Sequence, residues 1–237
     1  MSLGAARVAF TGRAEGDLGS LAERAPGGPS DACLERRRAV VDRPWTWLRQ
    51  VHGARVVTVE RPGGGAGEEA DALVTSATGA ALAVLVADCA PVLLATDDGR
   101  VVAAAHAGWR GLCAGVLDAT VEAMRTVASP AVRRGRAAPE PRLLGALGPC
   151  IHAECYEFSP PDLDRAAAAL GEEVRATTAD GRPALDVPAA VVAALGRLGV
   201  EVDTTASSCT ACDPEGRWYS HRARREVERQ AGVVWVP

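Results

Sequence analysis

The sequence predicts an α+β fold in which strands form the centre and helices flank them. Short valine-rich runs, which are typical of strands, cluster in the middle of the chain. Strands and helices do not alternate strictly, and this disfavours a doubly wound parallel sheet. Because 237 residues suffice for one substantial core, we expect a single domain that spans residues 1–237.

Nine short apolar runs are predicted as strands. In chain order they are 7–10, 45–51, 55–60, 81–87, 91–95, 101–105, 143–147, 200–205 and 233–236. Asp98-Gly99 separates two of them and is typical of a two-residue type I′ hairpin turn, whose central residues need positive φ. Such a turn pairs Pro91 with His106 and places Cys89 diagonally from His106 on the same face.

Four segments carry helical signals, at 30–41, 112–127, 160–170 and 186–198. The third begins with the spacing of a capping box from Ser159 to Asp162. Stretches rich in Gly, Pro or charged residues at 25–29, 61–67 and 129–141 are predicted as loops. The glycines of 63–67 are not followed by Lys-Ser or Lys-Thr, which favours a plain loop over a phosphate-binding one.

The charge balance disfavours a nucleic-acid-binding surface. The formal net charge is −4, and all 26 basic residues are arginine, so only a local arginine cluster could hold a phosphate. Residues 1–13 do not have the apolar stretch that is typical of a signal peptide, and the longest apolar run, 81–87, is too short to span a bilayer. We therefore expect a cytoplasmic protein with no membrane partner. Seven cysteines, an odd number, predict free thiols or metal ligands.

Two histidines and one cysteine form the main candidate site. His52 and His106 each follow a predicted strand close to a glycine, where sites are often built, and the hairpin brings Cys89 towards His106. Two imidazoles and one thiolate could bind zinc and leave a position open for water or substrate. A similar ligand set can bind copper, and a Cys-His pair without metal can act as nucleophile and base. Spacing alone leaves these alternatives open.

Other polar residues are secondary candidates. Arg110 precedes a predicted helix, where an arginine and free backbone N–H groups favour an anion. Asp88 points away from Cys89 in an extended strand, so we expect a structural role. The pair Cys209 and Cys212 lacks a second CxxC, and no partner is evident for Cys150 and Cys155 either, although His152 lies between those two. The segment 218–222 mixes aromatic side chains with an arginine, which suits a planar base and an anion.

Several motifs occur in the order typical of one known family. They are Gln50-Val-His-Gly53, Asp71-Ala-Leu-Val-Thr75, Ala87-Asp-Cys89, Ala104-Ala-His-Ala-Gly-Trp-Arg-Gly111, Gly148-Pro-Cys150 and Cys155-Tyr-Glu157. The chain resembles the laccase-domain proteins, also called multicopper polyphenol oxidase-like and described as zinc-dependent purine nucleoside phosphorylases. The resemblance covers nearly the whole length and implies a four-layer α/β/β/α sandwich with mixed sheets.

The resemblance also implies a site and an activity. The family's metal ligands correspond to His52, Cys89 and His106, which would bind zinc, with copper as the alternative, and serve catalysis. We also predict that Arg110, Arg222, Arg13 and Gln50 bind nucleoside or phosphate. The implied reactions are phosphorolysis of adenosine, inosine, guanosine or methylthioadenosine and deamination of adenosine. The chain departs from the family pattern at Asp17, Val86 and His221, and the last of these bears on substrate preference.

Two other enzyme classes remain as alternatives. A copper-dependent polyphenol oxidase agrees with the older family name, but the chain has four histidines and no His-X-His pair from which to build a multicopper cluster. A hydrolase that edits cell-wall precursors would use Cys89 and His106 as nucleophile and base. A binding module without activity is disfavoured, because an open metal site has little purpose in simple binding.

Overall fold

A computed structural model describes residues 1–19, 28–129 and 141–236 and confirms the α+β class. The strands are β1 (Ser2–Leu3), β2 (Ala6–Phe10), β3 (Trp45–Thr46), β4 (Val56–Val59), β5 (Ala72–Thr75), β6 (Ala81–Val86), β7 (Ala90–Thr96), β8 (Val102–Ala107), β9 (Leu143–Leu147), β10 (Arg175–Thr177), β11 (Pro183–Leu185), β12 (Glu201–Asp203) and β13 (Gln230–Trp235). The helices are α1 (Asp31–Val40), α2 (Trp109–Cys113), α3 (Val116–Ala128), α4 (Pro160–Leu170), α5 (Val187–Arg197) and α6 (His221–Arg224).

Two mixed sheets organise the described part of the chain. The larger has six strands in the order β12-β9-β7-β8-β5-β4, and the smaller has five in the order β1-β2-β13-β6-β3. Pairing is mainly antiparallel, but β4 with β5, β9 with β12 and β3 with β6 are parallel. Strands β10 and β11 form a separate two-stranded sheet.

Three apolar clusters show how the layers stack. Residues such as Leu82 of the smaller sheet and Leu93 of the larger share one cluster between the sheets. The neighbouring Val92 points the other way, into a cluster with α3, α4 and α5, because successive side chains of a strand alternate between faces. On the outer face of the smaller sheet, Leu85 belongs to a third cluster that packs against the end of α1 at Val40. Both faces of the sheets are therefore covered.

The predicted hairpin register is confirmed, although the turn type was wrong. Pro91 pairs with His106 in the β7–β8 ladder. Gly99 has a φ of 67°, but Asp98 does not have positive φ, so the turn is not type I′. Instead residues 97–101 join the strands, and the Gly99 N–H donates to the Thr96 carbonyl at 2.8 Å. The Thr96 N–H still donates to the Val101 carbonyl at 2.9 Å, so the register is unchanged.

Most predicted helices occur with their caps. The Ser159 hydroxyl accepts a hydrogen bond from the Asp162 N–H at the start of α4, and Asp186 caps α5 in the same way. The helix predicted over 112–127 is instead two helices, because Gly115 takes a left-handed φ of 82° between α2 and α3. Within the described residues no helix is long and apolar enough to cross a membrane. The predicted loops at 25–29 and 129–141 fall largely outside the described residues.

The strand predictions were less complete. The predicted strand 45–51 is shorter than expected, because the chain leaves the sheet after Thr46 and is irregular up to residue 55 apart from one bridge at Arg49. Strand β5 was not predicted: its four buried residues have no polar–apolar alternation, and the run is too short for a clear signal. The short strands β1, β10 and β11 were also missed. That residues 1–237 form one domain stays a prediction.

Candidate metal centre

The two predicted histidines and the cysteine converge at one end of the β7–β8 hairpin. His52 lies in the irregular segment after β3, Cys89 immediately precedes β7, and His106 lies near the end of β8. The ligand atoms of all three lie within 4.8 Å of one another. The Cys89 Sγ is 3.8 Å from the His52 Nε2, and the two imidazole rings meet edge to face with centroids 4.8 Å apart. One face of this cluster is open, since His52 is exposed while His106 is buried.

Asp71 positions both histidines. This fully buried carboxylate follows the irregular segment that leads into β5, and it accepts hydrogen bonds from the backbone N–H groups of His52 at 2.9 Å and Gly53 at 2.7 Å. It also lies 2.8 Å from the His106 Nδ1. The Nδ1 proton is therefore held by Asp71, and Nε2 is the His106 nitrogen that can bind a metal once it loses its proton. The motif 71–75 was noted in the sequence, but no pattern assigned this role to Asp71.

The backbone around the ligands is held in conformations that most side chains avoid. His52 has a φ of 60°, and the bonds from its loop to Asp71 stabilise that conformation. Gly108 follows β8 and lies against both neighbouring ligands. A Cβ atom at Gly108 would come within 2.8 Å of the His52 Cδ2 and 3.1 Å of the Cys89 Sγ. The close approach of the ligands therefore requires glycine at this position.

The metal-free cluster favours a thiolate beside an imidazolium. Burial alone would raise the pKa of Cys89, but the charge and hydrogen bonds of His106, with those of His52, outweigh it and lower that pKa to about 6. Burial alone would lower the pKa of His106, but Cys89 and Asp71 raise it to about 9. Burial also opposes the charge on Asp71, yet its bonds to His106 and Gly53 hold its pKa below the usual value.

The donor set fits a metal ion that prefers nitrogen and sulfur ligands. Two imidazole nitrogens and one thiolate are a known combination for catalytic zinc, with a fourth position left for another ligand. The low pKa of Cys89 supplies the thiolate that such binding needs, and the bond from His106 Nδ1 to Asp71 leaves Nε2 as the nitrogen that loses its proton when a metal binds.

A cavity of about 450 Å³ adjoins the three ligands. Arg110, Arg222 and Arg229 line it and give it a positive wall. Arg222 lies over the Tyr156 ring at 4.5 Å, and the half-buried Tyr156 also faces the cavity. Burial, with the nearby Cys89, raises the pKa of Tyr156, so its phenol keeps its proton at neutral pH. Sequence reasoning assigned no role to Tyr156 or Arg229.

The residues predicted to bind substrate have different surroundings. Arg110 lines the cavity and stacks on Trp109 at 4.5 Å; within the described ranges no carboxylate forms an ion pair with Arg110 or Arg222. Arg110 lies in the first turn of α2, which has only five residues, so the helix dipole adds little to anion binding. His221, which departs from the family pattern, also lines the cavity.

Gln50 and Arg13 are engaged by the protein itself. The Gln50 amide donates to the Leu85 carbonyl at 2.7 Å and accepts from the Leu85 N–H at 2.8 Å, which ties the segment before His52 to β6. Gln50 lines the cavity, but both ends of its amide are used. Arg13 does not line the cavity: it forms an ion pair with Glu226 and stacks on Tyr219. The placement of Arg13 therefore does not match the predicted contact with phosphate.

Asp88 lies at the cavity, contrary to the prediction that it points away from Cys89. The chain bends here, with a φ of 92° at Asp88, and so it does not keep the alternation of an extended strand. The carboxylate accepts one hydrogen bond from the Thr210 hydroxyl at 2.7 Å and another from the backbone N–H of Arg222 at 2.6 Å. Asp88 thereby joins the ligand segment to the C-terminal part of the chain, and the structural role predicted for it agrees with these bonds.

A second group of cysteines corrects the prediction that they lack partners. Glu154, Cys155, Cys209 and Cys212 offer ligand atoms that all lie within 4.8 Å of one another. Glu154 and Cys155 belong to a short 3-10 helix before α4, and the other two flank a turn. The sequence could not indicate this group, because the two pairs are about fifty residues apart and do not share a metal-binding spacing.

Comparisons with known proteins agree on one family. The family described as "Multi-copper polyphenol oxidoreductase laccase" matches residues 31–237. A purine nucleoside phosphorylase of Streptomyces coelicolor is 43% identical over 192 residues, covering 80% of this chain and 74% of that protein. Another from Mycobacterium tuberculosis is 37% identical over 190 residues, covering 80% and 71%.

Solved structures give the same result for the fold. A Neisseria meningitidis protein of the DUF152 family superposes with a TM-score of 0.72 at 30% identity, covering 92% of this chain and 85% of that one. YlmD from Geobacillus stearothermophilus superposes with a TM-score of 0.69 at 25% identity, covering 97% and 90%.

Proposed function

The chain belongs to the family described as multi-copper polyphenol oxidoreductase laccase, and from this membership and the geometry of its site we propose that it is a zinc-dependent purine nucleoside phosphorylase. We further propose that it acts on adenosine, inosine, guanosine and methylthioadenosine and deaminates adenosine. The relatives that carry the name purine nucleoside phosphorylase support the reaction class.

One observation supports the proposal most directly: His52, Cys89 and His106 line the same cavity as Arg110 and Arg222. Phosphorolysis needs an anion and a nucleoside next to each other, and the cavity offers guanidinium groups for the first and room of about 450 Å³ for the second. The chain also has too few histidines to supply the ligands of a multicopper cluster, since it contains four and no His-X-His pair.

The chemistry assigns separate tasks to the side chains. In phosphorolysis an oxygen of phosphate forms a bond to ribose C1′ while the bond from C1′ to the purine nitrogen breaks, and that nitrogen takes up a proton. Arg110 and Arg222 orient the phosphate and offset its charge as it approaches C1′. Tyr156 keeps its phenolic proton and serves as a hydrogen-bond donor to the nucleoside.

His52, Cys89 and His106 would hold the zinc ion, with Asp71 fixing the His106 ring. When bound, the ion polarises an oxygen or nitrogen atom of the substrate. Adenosine deamination uses the same cavity: water adds at purine C6, ammonia leaves, and inosine is formed. His221 and Asp88 lie at the cavity wall, and His221 is where we expect purine preference to differ from that of relatives.

The test is a Cys89→Ala variant supplied with inosine and phosphate. We expect the rate of formation of ribose 1-phosphate and hypoxanthine to fall at least about 100-fold. Loss of a group that only orients a metal ligand lowers activity by about 10–100-fold, and loss of the ligand itself should lower it further. Bound zinc is measured in the same samples. Cys33→Ala is the matched control, since Cys33 is a buried cysteine of α1 outside the site.

The outcomes separate the candidate functions. Undiminished product in Cys89→Ala would exclude the proposed site. Product formation without phosphate would indicate a hydrolase instead of a phosphorylase. For adenosine, release of inosine that continues without phosphate but stops on zinc removal supports the deaminase activity, and its absence limits the enzyme to phosphorolysis.

A further inference from the structure

We propose that Glu154, Cys155, Cys209 and Cys212 form a second metal site, which binds one zinc ion in a structural role. This site does not depend on the proposed nucleoside chemistry. None of the four ligands lines the cavity beside His52, and none belongs to the first cluster.

The geometry of the four side chains suits tetrahedral coordination. Ligands about 2.3 Å from a zinc ion lie roughly 3.8 Å apart at the corners of a tetrahedron. The four ligand atoms here lie within 4.8 Å of one another, so small side-chain rotations bring them to those corners. The Cys212 Sγ already lies 3.5 Å from the Glu154 Oε1.

The chemistry of the ligands favours zinc over the hard cations. Three thiolates select a soft or borderline metal such as zinc, whereas calcium and magnesium require oxygen ligands. Four protein ligands complete the coordination of zinc and leave no position for a substrate, which is the arrangement of structural sites. Each thiol that binds releases its proton to solvent as the sulfur–metal bond forms.

The backbone around these cysteines holds the sulfur atoms in place before a metal arrives. The His152 N–H points at the Cys209 Sγ, 3.4 Å away, as backbone donors do around metal-bound thiolates. Cys150 and Cys209 form an isolated parallel bridge, and the Thr210 N–H donates to the Cys150 carbonyl at 3.0 Å. Hydrogen bonds between residues 150–152 and 209–210 therefore already join the two ligand-bearing segments next to the cluster.

The site joins two segments of the chain beside the cavity. The ligands at 154–155 precede α4, while those at 209–212 lie in the turn whose Thr210 hydroxyl donates to Asp88. The Arg224 guanidinium also donates to the carbonyls of Thr210 and Ala211. A metal ion here would stabilise the turn that supports Asp88.

The experiment counts zinc ions per chain by elemental analysis and native mass spectrometry. We expect two zinc ions per chain in the wild type, one in Cys89→Ala, one in Cys212→Ser and none in the variant that carries both substitutions. The control Cys33→Ala keeps two. Purification under reducing conditions prevents oxidation of the thiols. One zinc ion in the wild type and none in Cys89→Ala would overturn the proposal, and so would a disulfide among Cys155, Cys209 and Cys212 that persists through purification under reducing conditions.

Cobalt provides a second measurement that identifies the ligands. The Cys89→Ala variant loaded with Co²⁺ should show thiolate charge-transfer absorption. Adding either Cys155→Ser or Cys212→Ser to this variant should weaken that absorption. Glu154→Ala, which keeps every thiol, should release zinc to a chelator at least about tenfold faster. Glu154→His should restore slow release, since imidazole replaces the carboxylate as a ligand. Equal release rates from wild type and Glu154→Ala would exclude Glu154 as the fourth ligand and overturn the site as proposed.

Discussion

The two ligand clusters of this chain are built differently. The first has two histidines and one cysteine and opens onto a cavity; Cys89 and His106 lie at one end of the β7–β8 hairpin, and His52 comes from the irregular segment after β3. The second has three cysteines and one glutamate, which come from a short 3-10 helix and a turn. A site that must leave one position open needs rigid support, whereas a site that closes around an ion is held together by the ion itself.

Backbone conformation shows the same contrast. His52 has a φ of 60°, and Asp88, next to Cys89, has a φ of 92°. Each such conformation costs about 1–3 kcal/mol and persists only where the surroundings enforce it. Here the buried carboxylate of Asp71 holds the His52 loop, and Asp88 is held by Thr210 and Arg222. None of the four ligands of the second cluster has a positive φ.

The largest effect is expected from Gly108→Ala. The new Cβ would lie 2.8 Å from the His52 Cδ2 and 3.1 Å from the Cys89 Sγ, so one ligand must leave its place. We expect loss of one zinc per chain and a fall in phosphorolysis of at least about 100-fold, as for removal of a ligand. Zinc content and ribose 1-phosphate formation measure the two effects.

Gly196→Ala is the control for this substitution. No heavy atom lies within 4 Å of a Cβ at Gly196, which lies in α5. Alanine there should raise helix stability by about 0.5–1 kcal/mol and leave zinc content unchanged. Retention of both zinc ions in Gly108→Ala would contradict the crowded geometry at the first cluster.

A smaller effect is expected from Asp71→Asn. The amide of asparagine presents N–H groups, so it cannot accept all the hydrogen bonds that the carboxylate accepts from the His52 loop and His106. We expect zinc affinity of the first site to fall by roughly 10–100-fold, as for other groups that orient a metal-binding histidine. Competition with a chelator measures this affinity. The substitution should leave the zinc affinity of the second site unchanged.

Asp118→Asn is the matched control, because Asp118 is an exposed carboxylate on α3. It removes the same charge without touching either cluster and should bind zinc as the wild type does. If the two variants released zinc equally fast, Asp71 would not be positioning His106.

The sequence predicted the pairing around the first cluster but not its support. The hairpin register depends on the Asp98-Gly99 signal and on apolar residues at 91–95 and 101–105, all of which are local in sequence. Asp71 acts across separate segments, by hydrogen bonds to residues 18 to 35 positions away. Such contacts have no period or spacing, so sequence reasoning could not assign them.

The second cluster and the bend at Asp88 were missed for related reasons. Cys209 and Cys212 have the spacing of half a zinc site, but the other half is an adjacent Glu-Cys pair that matches no common motif. Asp88 was expected to follow strand alternation, and its positive φ breaks that alternation. Both predictions failed where tertiary contacts override the local pattern.

A third prediction concerns the cationic side of the cavity, which the second cluster lacks. Arg110→Met removes a guanidinium that lines the cavity and keeps much of the side-chain length. We expect the KM for phosphate to rise about tenfold, since hydrogen bonds to charged groups contribute about 1.5–3 kcal/mol, while the KM for inosine changes little. Steady-state kinetics with each substrate varied in turn measure the difference.

Arg165→Met controls for loss of an arginine, because Arg165 forms an exposed ion pair with Asp162 on α4. Its kinetic constants should match those of the wild type. A rise in the KM for inosine alone in Arg110→Met would assign Arg110 to the nucleoside instead of the phosphate.

The smallest effect is expected at the hydrogen bond that connects the two regions. Thr210→Val keeps the shape of the side chain but removes the hydroxyl that donates to Asp88 at 2.7 Å. The loss of a hydrogen-bond donor to a buried carboxylate destabilises the folded protein by about 1–3 kcal/mol. We therefore expect a lower Tm and only a few-fold lower rate of phosphorolysis. Thr126→Val, at an exposed position on α3, should change neither.

The same variant tests whether the second metal stabilises the first site through Thr210. If it does, Cys212→Ser and Thr210→Val act on one connection, and the double variant should lose less stability and activity than the two single losses added together. Thermal denaturation and phosphorolysis rates of the four proteins give this coupling. Strictly additive losses would mean that the second zinc stabilises its own turn and that the Asp88 carboxylate is held independently of it.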